Sequence, residues 1–345
     1  YRRKLEPCRS FLDLAFFISF FPQLVAGPIE RATHLLPQIE RPRRFDLTKA
    51  KDGLRQVLWG LFKKVVIADN CAEHANAIFD HADQYGGATL VLGAVLFAFQ
   101  IYGDFSGYSD IALGTARLLG IELLQNFSFP YFSRDIAEFW RRWHISLSSW
   151  FRDYLYIPLG GSKGNTWMRV RNTFIIFLVS GFWHGANWTF IVWGGLNALY
   201  FLPLLLSNKN RSHMGTVAQG KLLPTLKETF QMAATFGATV LAWVFFRAAD
   251  LPAAFHYVGR LFRGLVDPSS YAAALNYVRG HMSVALLPLV CVFMVVEWLG
   301  REQRFALGAW PGRWPTWARW SFYYAVLICI LFFSGQEQQF IYFQF

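Results

Sequence analysis

Charge is scarce in this chain. Only 16% of its 345 residues are Asp, Glu, Lys or Arg, against roughly a quarter in ordinary soluble domains. Cysteine is scarcer still. Cys8, Cys71, Cys291 and Cys329 form no CxxC pair and no ligand spacing, which leaves disulfide frameworks and zinc sites without support and suits small apolar fillers. There is no HExxH and no phosphate-binding P-loop, no spacing supports a metal, and no histidine is followed five residues later by aspartate. Residues 160–164 match G-x-S-x-G literally, but they form a polar loop after Pro158, not the strand–turn–helix elbow that a nucleophilic serine requires. No low-complexity linker or fixed-period repeat is visible, which weakens an inverted-repeat transporter. The chain opens at Tyr1 without a methionine or signal peptide and reads as a piece of a longer protein.

What is present is apolar and aromatic. Hydrophobic residues make up 54% and aromatics 18%, with 35 Phe, 14 Trp and 14 Tyr. A spanning helix takes roughly 20 apolar residues. Windows 14–29, 86–103, 229–246, 282–296 and 320–335 carry no charge, and in 172–207 the only titratable side chains are His184 and Tyr200. The last is too long for one span and predicts two helices, or a span plus a re-entrant piece. About six membrane segments are expected. Pro22 predicts a kink in 11–27. The 54–68 stretch predicts a boundary helix whose Lys63 and Lys64 snorkel to water. Residues 207–227 and 301–319 read as polar or basic connections.

The net charge of +11 sits between the hydrophobic windows, at 41–44, 49–55 and 141–152. That pattern points to anionic lipid headgroups and not to nucleic acid. The basic segments are too dispersed to fix an orientation.

In 134–156 the apolar residues Ile136, Phe139, Trp140, Trp143, Leu147, Trp150, Phe151 and Tyr154 recur at offsets of 0, 3, 4, 7, 11, 14, 15 and 18, one stripe of a helix. Arg134, Glu138, Arg141 and Arg152 fall opposite, and Glu138 and Arg142 form an i,i+4 pair. An amphipathic helix in or near the membrane interface is predicted. His144 lies about 80° from the stripe centre, at the edge of the apolar face.

His184 lies in Gly181-Phe-Trp-His-Gly-Ala-Asn-Trp188. From a helix start near 172 it would be about 18 Å along, near the middle of a hydrocarbon layer of about 30 Å. An ionisable group at that depth is a functional candidate by default. The alternative is a histidine hydrogen-bonded between helices, for instance to Asn187. Gly181 and Gly185 would leave room for close approach of backbone or substrate. Acyl transfer from a thioester needs a base, an oriented alcohol and a dry channel, and His184 could be that base. His144 is the candidate to orient it or to stabilise the oxyanion, although a boundary histidine is more often structural. The polar cluster 100–110 follows a hydrophobic window. Asp104 and Asp110, with Ser106 and Ser109, are best read as helix caps; the alternative is that Asp104 or Tyr108 lines a substrate channel. Trp143, Trp183 and Asn187 complete the candidate substrate-binding set.

Several motifs act together. Asp104-Phe-Ser-Gly-Tyr-Ser-Asp110, Phe139-Trp-Arg-Arg-Trp-His-Ile-Ser-Leu-Ser-Ser-Trp150, Tyr154-Leu-Tyr-Ile-Pro-Leu-Gly-Gly161 and Gly181-Phe-Trp-His-Gly185 resemble the membrane-bound O-acyltransferase superfamily, in its bacterial alginate O-acetylation branch. Phe20-Phe-Pro-Gln-Leu-Val-Ala-Gly-Pro-Ile29 and Gln339-Phe-Ile-Tyr-Phe-Gln-Phe345 add to the likeness. The resemblance implies one all-α, polytopic transmembrane bundle over 1–345, with amphipathic or re-entrant helices and a catalytic core over about 100–206. Several further helices would precede Tyr1. It implies His184 as the catalytic residue in a membrane tunnel and His144 as the second polar site. It implies no bound cofactor and a cytoplasmic thioester donor such as acetyl-CoA. It also implies an inner-membrane location, an esterase-like periplasmic (SGNH) partner and an exopolysaccharide as final acceptor. D-alanyl transfer to an envelope polymer, as in the related teichoic-acid branch, is the neighbouring expectation. A polysaccharide-precursor transporter and a non-catalytic assembly platform are the rivals from other classes.

Overall fold

The computed structural model describes residues 8, 10–308, 314–334 and 338–340. All regular structure among them is helical: α1 (Phe11–Ser19), α2 (Ala32–Glu40), α3 (Leu47–Leu61), α4 (Asp69–Asp80), α5 (Gly87–Leu118), α6 (Ile136–Arg142), α7 (Ile145–Phe151), α8 (Thr166–His184), α9 (Trp188–Leu206), α10 (Leu226–Arg247), α11 (Leu251–Leu265), α12 (Pro268–His281), α13 (Leu286–Gly300) and α14 (Thr316–Phe332). Two π-helical turns, Phe62–Ala68 and Arg152–Tyr156, continue α3 and α7. Short polar residues start the helices by accepting otherwise unpaired N–H groups. Asp46 caps α3, Asp135 α6, Asn165 α8 and Asp250 α11, and Thr225 forms a capping box with Glu228 on α10.

α5 is the axis. Its 32 residues extend about 48 Å, and it is wrapped by α3, α4, α10, α11 and α12. α3 runs antiparallel to it through a seam of glycines. A methyl group at Gly53 would lie 2.6 Å from the Gly114 carbonyl oxygen, and one at Gly60 would lie 2.6 Å from that of Gly107, so only hydrogen fits where the backbones cross.

The 172–207 window is a hairpin of two helices, α8 and α9, as its length predicted. Other expectations change. Among the described residues, three helices are long and apolar enough to cross a membrane, α5, α9 and α10; α12 and α13, bent by 97° at their junction, form a broken span or a re-entrant loop. Window 14–29 yields only a nine-residue helix, which ends at Phe20 before a 3₁₀ turn containing Pro22. Windows 282–296 and 320–335 give helices of 15 and 17 residues. The connection 301–319 and the C-terminal motif lie partly outside the described residues, at 309–313 and 341–345.

Lys63 and Lys64 do not snorkel. Lys63 Nζ is 2.9 Å from Asp110 and 3.1 Å from Glu297, and Lys64 Nζ is 2.8 Å from both Asp69 and Asp104. Ion pairing inside the bundle replaces water. Asp104 and Asp110 are therefore not caps: they lie within α5 as counter-ions.

The stripe over 134–156 is not one helix. The chain breaks at His144, whose backbone is left-handed (φ 45°). The break is held by Ile145 N–H donating to the Asn126 carbonyl (2.9 Å) and Ser128 N–H to the Arg142 carbonyl (3.0 Å). Phe139, Trp143, Leu147 and Phe151 are buried against protein instead of lying in an interface. Opposite them, Glu138 is locked between Arg134 and Arg142.

The bundle has two unlike ends. One gathers the start of α3, the end of α5, the start of α8, the loop 207–225 and the end of α13. It carries Arg43, Arg44, Lys49, Arg117, Arg141, Arg169, Arg211, Arg301 and Arg304. At the other, Asp80 meets Arg247, Asp83 meets His256, and Arg260 donates to the carbonyls of Asp83 and Tyr85.

Candidate active site

A cavity of about 680 Å³ lies between α5, the broken segment 136–156, α8, α9 and α10. α8 supplies one wall with a single face: Arg169, Thr173, Ile176, Phe177, Ser180 and His184. That spacing keeps one row of side chains in line and spans about 22 Å from Arg169 to His184. Arg141, Arg169 and Arg211, with Asn208 and Asn210, line its basic end. Arg141 is braced by the carbonyls of Asn210 (2.7 Å) and His213 (2.8 Å), and Arg169 by Asn208 Oδ1 (3.0 Å).

His184 is the last residue of α8, about 27 Å from its start and not about 18 Å, because the helix begins at Thr166 and not near 172. It is packed edge-on by Trp193 (centroids 5.4 Å) and Phe246 (5.2 Å). Trp193 stacks on Trp243 (5.6 Å), and Trp143 meets Trp243 at 5.1 Å. The space at Gly181 and Gly185 is taken by protein. Phe190 backbone crosses Gly181, and Gly185 turns with φ 156° against the Phe190 ring. His144 lines the same cavity, its ring edge-on to Phe105 at 4.7 Å and its Nδ1 3.3 Å from Asn126 Oδ1.

The structure thus brings His184, His144 and Trp143 to one cavity. Four other candidates lie off its lining. Trp183 is 56% exposed and packs on Trp150 and Phe151. Asn187 caps α9 and donates to the Ala249 carbonyl (2.9 Å). Asp104 pairs with Lys64, and Tyr108 packs on Phe340. Of the rim, Arg141 was named from the sequence only as part of the polar face of 134–156; Arg169, Arg211, Trp193, Trp243 and Asn126 were not singled out. Arg169 lies three residues before the charge-free window 172–207, a position from which it could have been read. Among the described residues no group of three or more His, Cys, Asp or Glu could hold a metal ion.

Two imidazoles thus line one cavity with aromatic walls, and arginines line its other end about 22 Å along α8. Residues 8–245 match the membrane-bound O-acyltransferase family, and the chain belongs to that family. It is 40% identical over 262 residues to the probable alginate O-acetylase AlgI of Azotobacter vinelandii, covering 76% of this chain and 50% of that protein. It is 42% identical over 258 residues to the peptidoglycan O-acetyltransferase of Helicobacter pylori, covering 74% and 47%. It is 32% identical over 252 residues to the teichoic acid D-alanyltransferase of Streptococcus thermophilus, covering 67% and 60%. The chain spans about half the length of the first two.

Proposed function

We propose that this chain carries the catalytic core of a membrane O-acetyltransferase. The observation that supports it best is the shared cavity of His184 and His144 with an arginine rim at its far end. An acyl thioester, acetyl-CoA in the first instance, places its phosphates at Arg141, Arg169 and Arg211 and extends its thiol arm toward the histidines. His184 takes the proton of an incoming hydroxyl as its oxygen attacks the thioester carbonyl. The tetrahedral oxyanion collapses, the C–S bond breaks, and the thiolate leaves with the proton that His184 held. His144 and Trp143 shape the acceptor side. The basic end of the bundle faces the cytoplasm, where basic loops concentrate, so the donor enters from there. The acceptor hydroxyl belongs to an envelope polysaccharide such as alginate, or to a serine of an esterase-like periplasmic partner that passes the acetyl group on. The location is the bacterial inner membrane. Likeness to a D-alanyltransferase supports a second reading, in which a carrier protein presents a D-alanyl thioester to the same rim.

The test is release of free CoA from labelled acetyl-CoA by the full-length protein in lipid, with and without its partner, beside His184→Ala. Transfer that depends on the partner and vanishes in the variant is expected. Full transfer by the variant removes His184 from the reaction, and transfer only from a charged carrier selects the second reading.

A further inference from the structure

Asn126 has no counterpart among the motifs, yet no side-chain atom of it reaches solvent: the residue is 0% exposed. It lies in the strand-like connection after α5, between that helix and the break at His144. Its Oδ1 is 3.3 Å from His144 Nδ1 and 2.5 Å from Ser146 Oγ, and its Nδ2 donates to Ser109 Oγ at 3.1 Å. Its backbone carbonyl accepts from Ile145 N–H. One residue thus holds both the backbone and the ring of His144.

The amide turns its oxygen toward Ser146 and its NH₂ toward Ser109. Ser146 Oγ accepts from Ile29 N–H at 2.9 Å and donates its own proton to that oxygen. That same oxygen faces His144 Nδ1. An amide oxygen only accepts, so Nδ1 must carry the proton. A neutral imidazole has one donor and one acceptor nitrogen, which leaves Nε2 with its lone pair for the cavity.

We infer that Asn126 is a positioning residue that holds His144 in the Nδ1–H tautomer, so that Nε2 meets the cavity as a hydrogen-bond acceptor. This rests on the reading of the cavity as an acyl-transfer site and sharpens it. In that tautomer neutral His144 offers no Nε2–H to an oxyanion. It accepts from the acceptor hydroxyl instead and orients the oxygen for attack while His184 takes the proton. The left-handed backbone at His144 is a strained conformation for a residue with a Cβ, and the Asn126 carbonyl is among the contacts that keep it.

The experiment is ¹⁵N NMR of the full-length, histidine-labelled protein in lipid bilayers, which separates protonated from unprotonated ring nitrogens. His144→Gln assigns the signal. The expected result is a protonated Nδ1 and an unprotonated Nε2 in the native protein. Asn126→Leu should populate both tautomers and lower kcat by roughly ten- to a hundredfold with donor KM unchanged, whereas Asn126→Asp, which keeps an acceptor oxygen, should restore the Nδ1–H form. If Asn126→Leu does not accumulate, Ser146→Ala serves, since losing that hydroxyl releases the amide to flip and should mix the tautomers. A native Nε2–H form, or a tautomer indifferent to both variants, overturns the inference. The predicted tautomers with no acyl transfer by the native protein would leave Asn126 in place and defeat the functional reading instead.

Discussion

Lys63 and His184 are both ionisable side chains within an apolar bundle, and the fold treats them in opposite ways. Around Lys63 every charge has a partner. Its ammonium meets Asp110 and Glu297, Glu297 also accepts from Trp59 Nε1 (2.8 Å) and Tyr102 OH (2.5 Å), and Asp110 accepts from Gln56 (2.7 Å). Gln56 in turn accepts from Arg117, which reaches Asp52 and Glu122. The space beside Lys63, Asp110 and Glu297 is only about 10 Å³. His184 and His144 instead sit among aromatic rings on a cavity of about 680 Å³. Pairing of this kind is a structural device, because the carboxylates are already committed to protein donors. The two imidazoles line a cavity with room for a substrate. The comparison separates function from architecture better than burial does, since Lys63 is the more deeply buried of the two.

The largest expected effect falls on the cavity side. His184→Ala should lower acyl transfer by about 10²–10⁴-fold, the range of general base catalysis, without shifting the unfolding temperature in lipid or detergent. A large loss of stability in that variant would erase the contrast. On the paired side, Lys63→Met should destabilise by roughly 3–5 kcal/mol, because it strands the buried Glu297 and the partly buried Asp110. Adding Asp110→Asn and Glu297→Gln should recover most of that loss, and chemical denaturation of the three forms measures it. Failure of the triple variant to recover would assign the network a role beyond balancing charge. A smaller effect is expected at the rim. Arg169→Gln with Arg211→Gln should raise KM for acetyl-CoA by roughly tenfold and leave kcat unchanged, with less dependence on salt than the native protein shows.

The sequence carried the apolar stripe of 134–156, the hairpin of 172–207 and the two histidines, all of which depend on short-range pattern. It did not carry the break at His144. Nothing in Trp143-His144-Ile145 stops a helix; hydrogen bonds from Ile145 to Asn126 and from Ser128 to Arg142 impose the turn, and they join residues 14–19 positions apart. It misplaced Asp104 and Asp110 because a Gly- and Ser-rich polar cluster has the composition of a helix end. Their lysine partners on the facing π-helical turn, and the glycine crossing that brings that turn close, become visible only in three dimensions. The arginine rim was hidden for a similar reason: Arg141, Arg169 and Arg211 come from three separate segments.

The smallest effect belongs to Glu138, on a segment that does not span the membrane, and it tests the same rule of pairing at the basic end. Burial raises the pKa of this carboxyl, but hydrogen bonds from Arg134 and the charge of Arg142 outweigh it and hold the group below its ordinary value of 4.5. Arg134 donates to both oxygens and Arg142 to Oε1 at 2.9 Å. With the folded pKa depressed, the stabilising contribution is fully present above about pH 4.5 and disappears as pH falls through the folded value. Glu138→Gln should therefore melt lower than the native protein at neutral pH, by the equivalent of about 1–3 kcal/mol for charge-assisted hydrogen bonds. The gap should narrow steadily once the medium is more acidic than pH 4.5. A gap that stays constant across that range would mean that Glu138 acts through shape and not through charge, and that pairing at this end is incidental to stability.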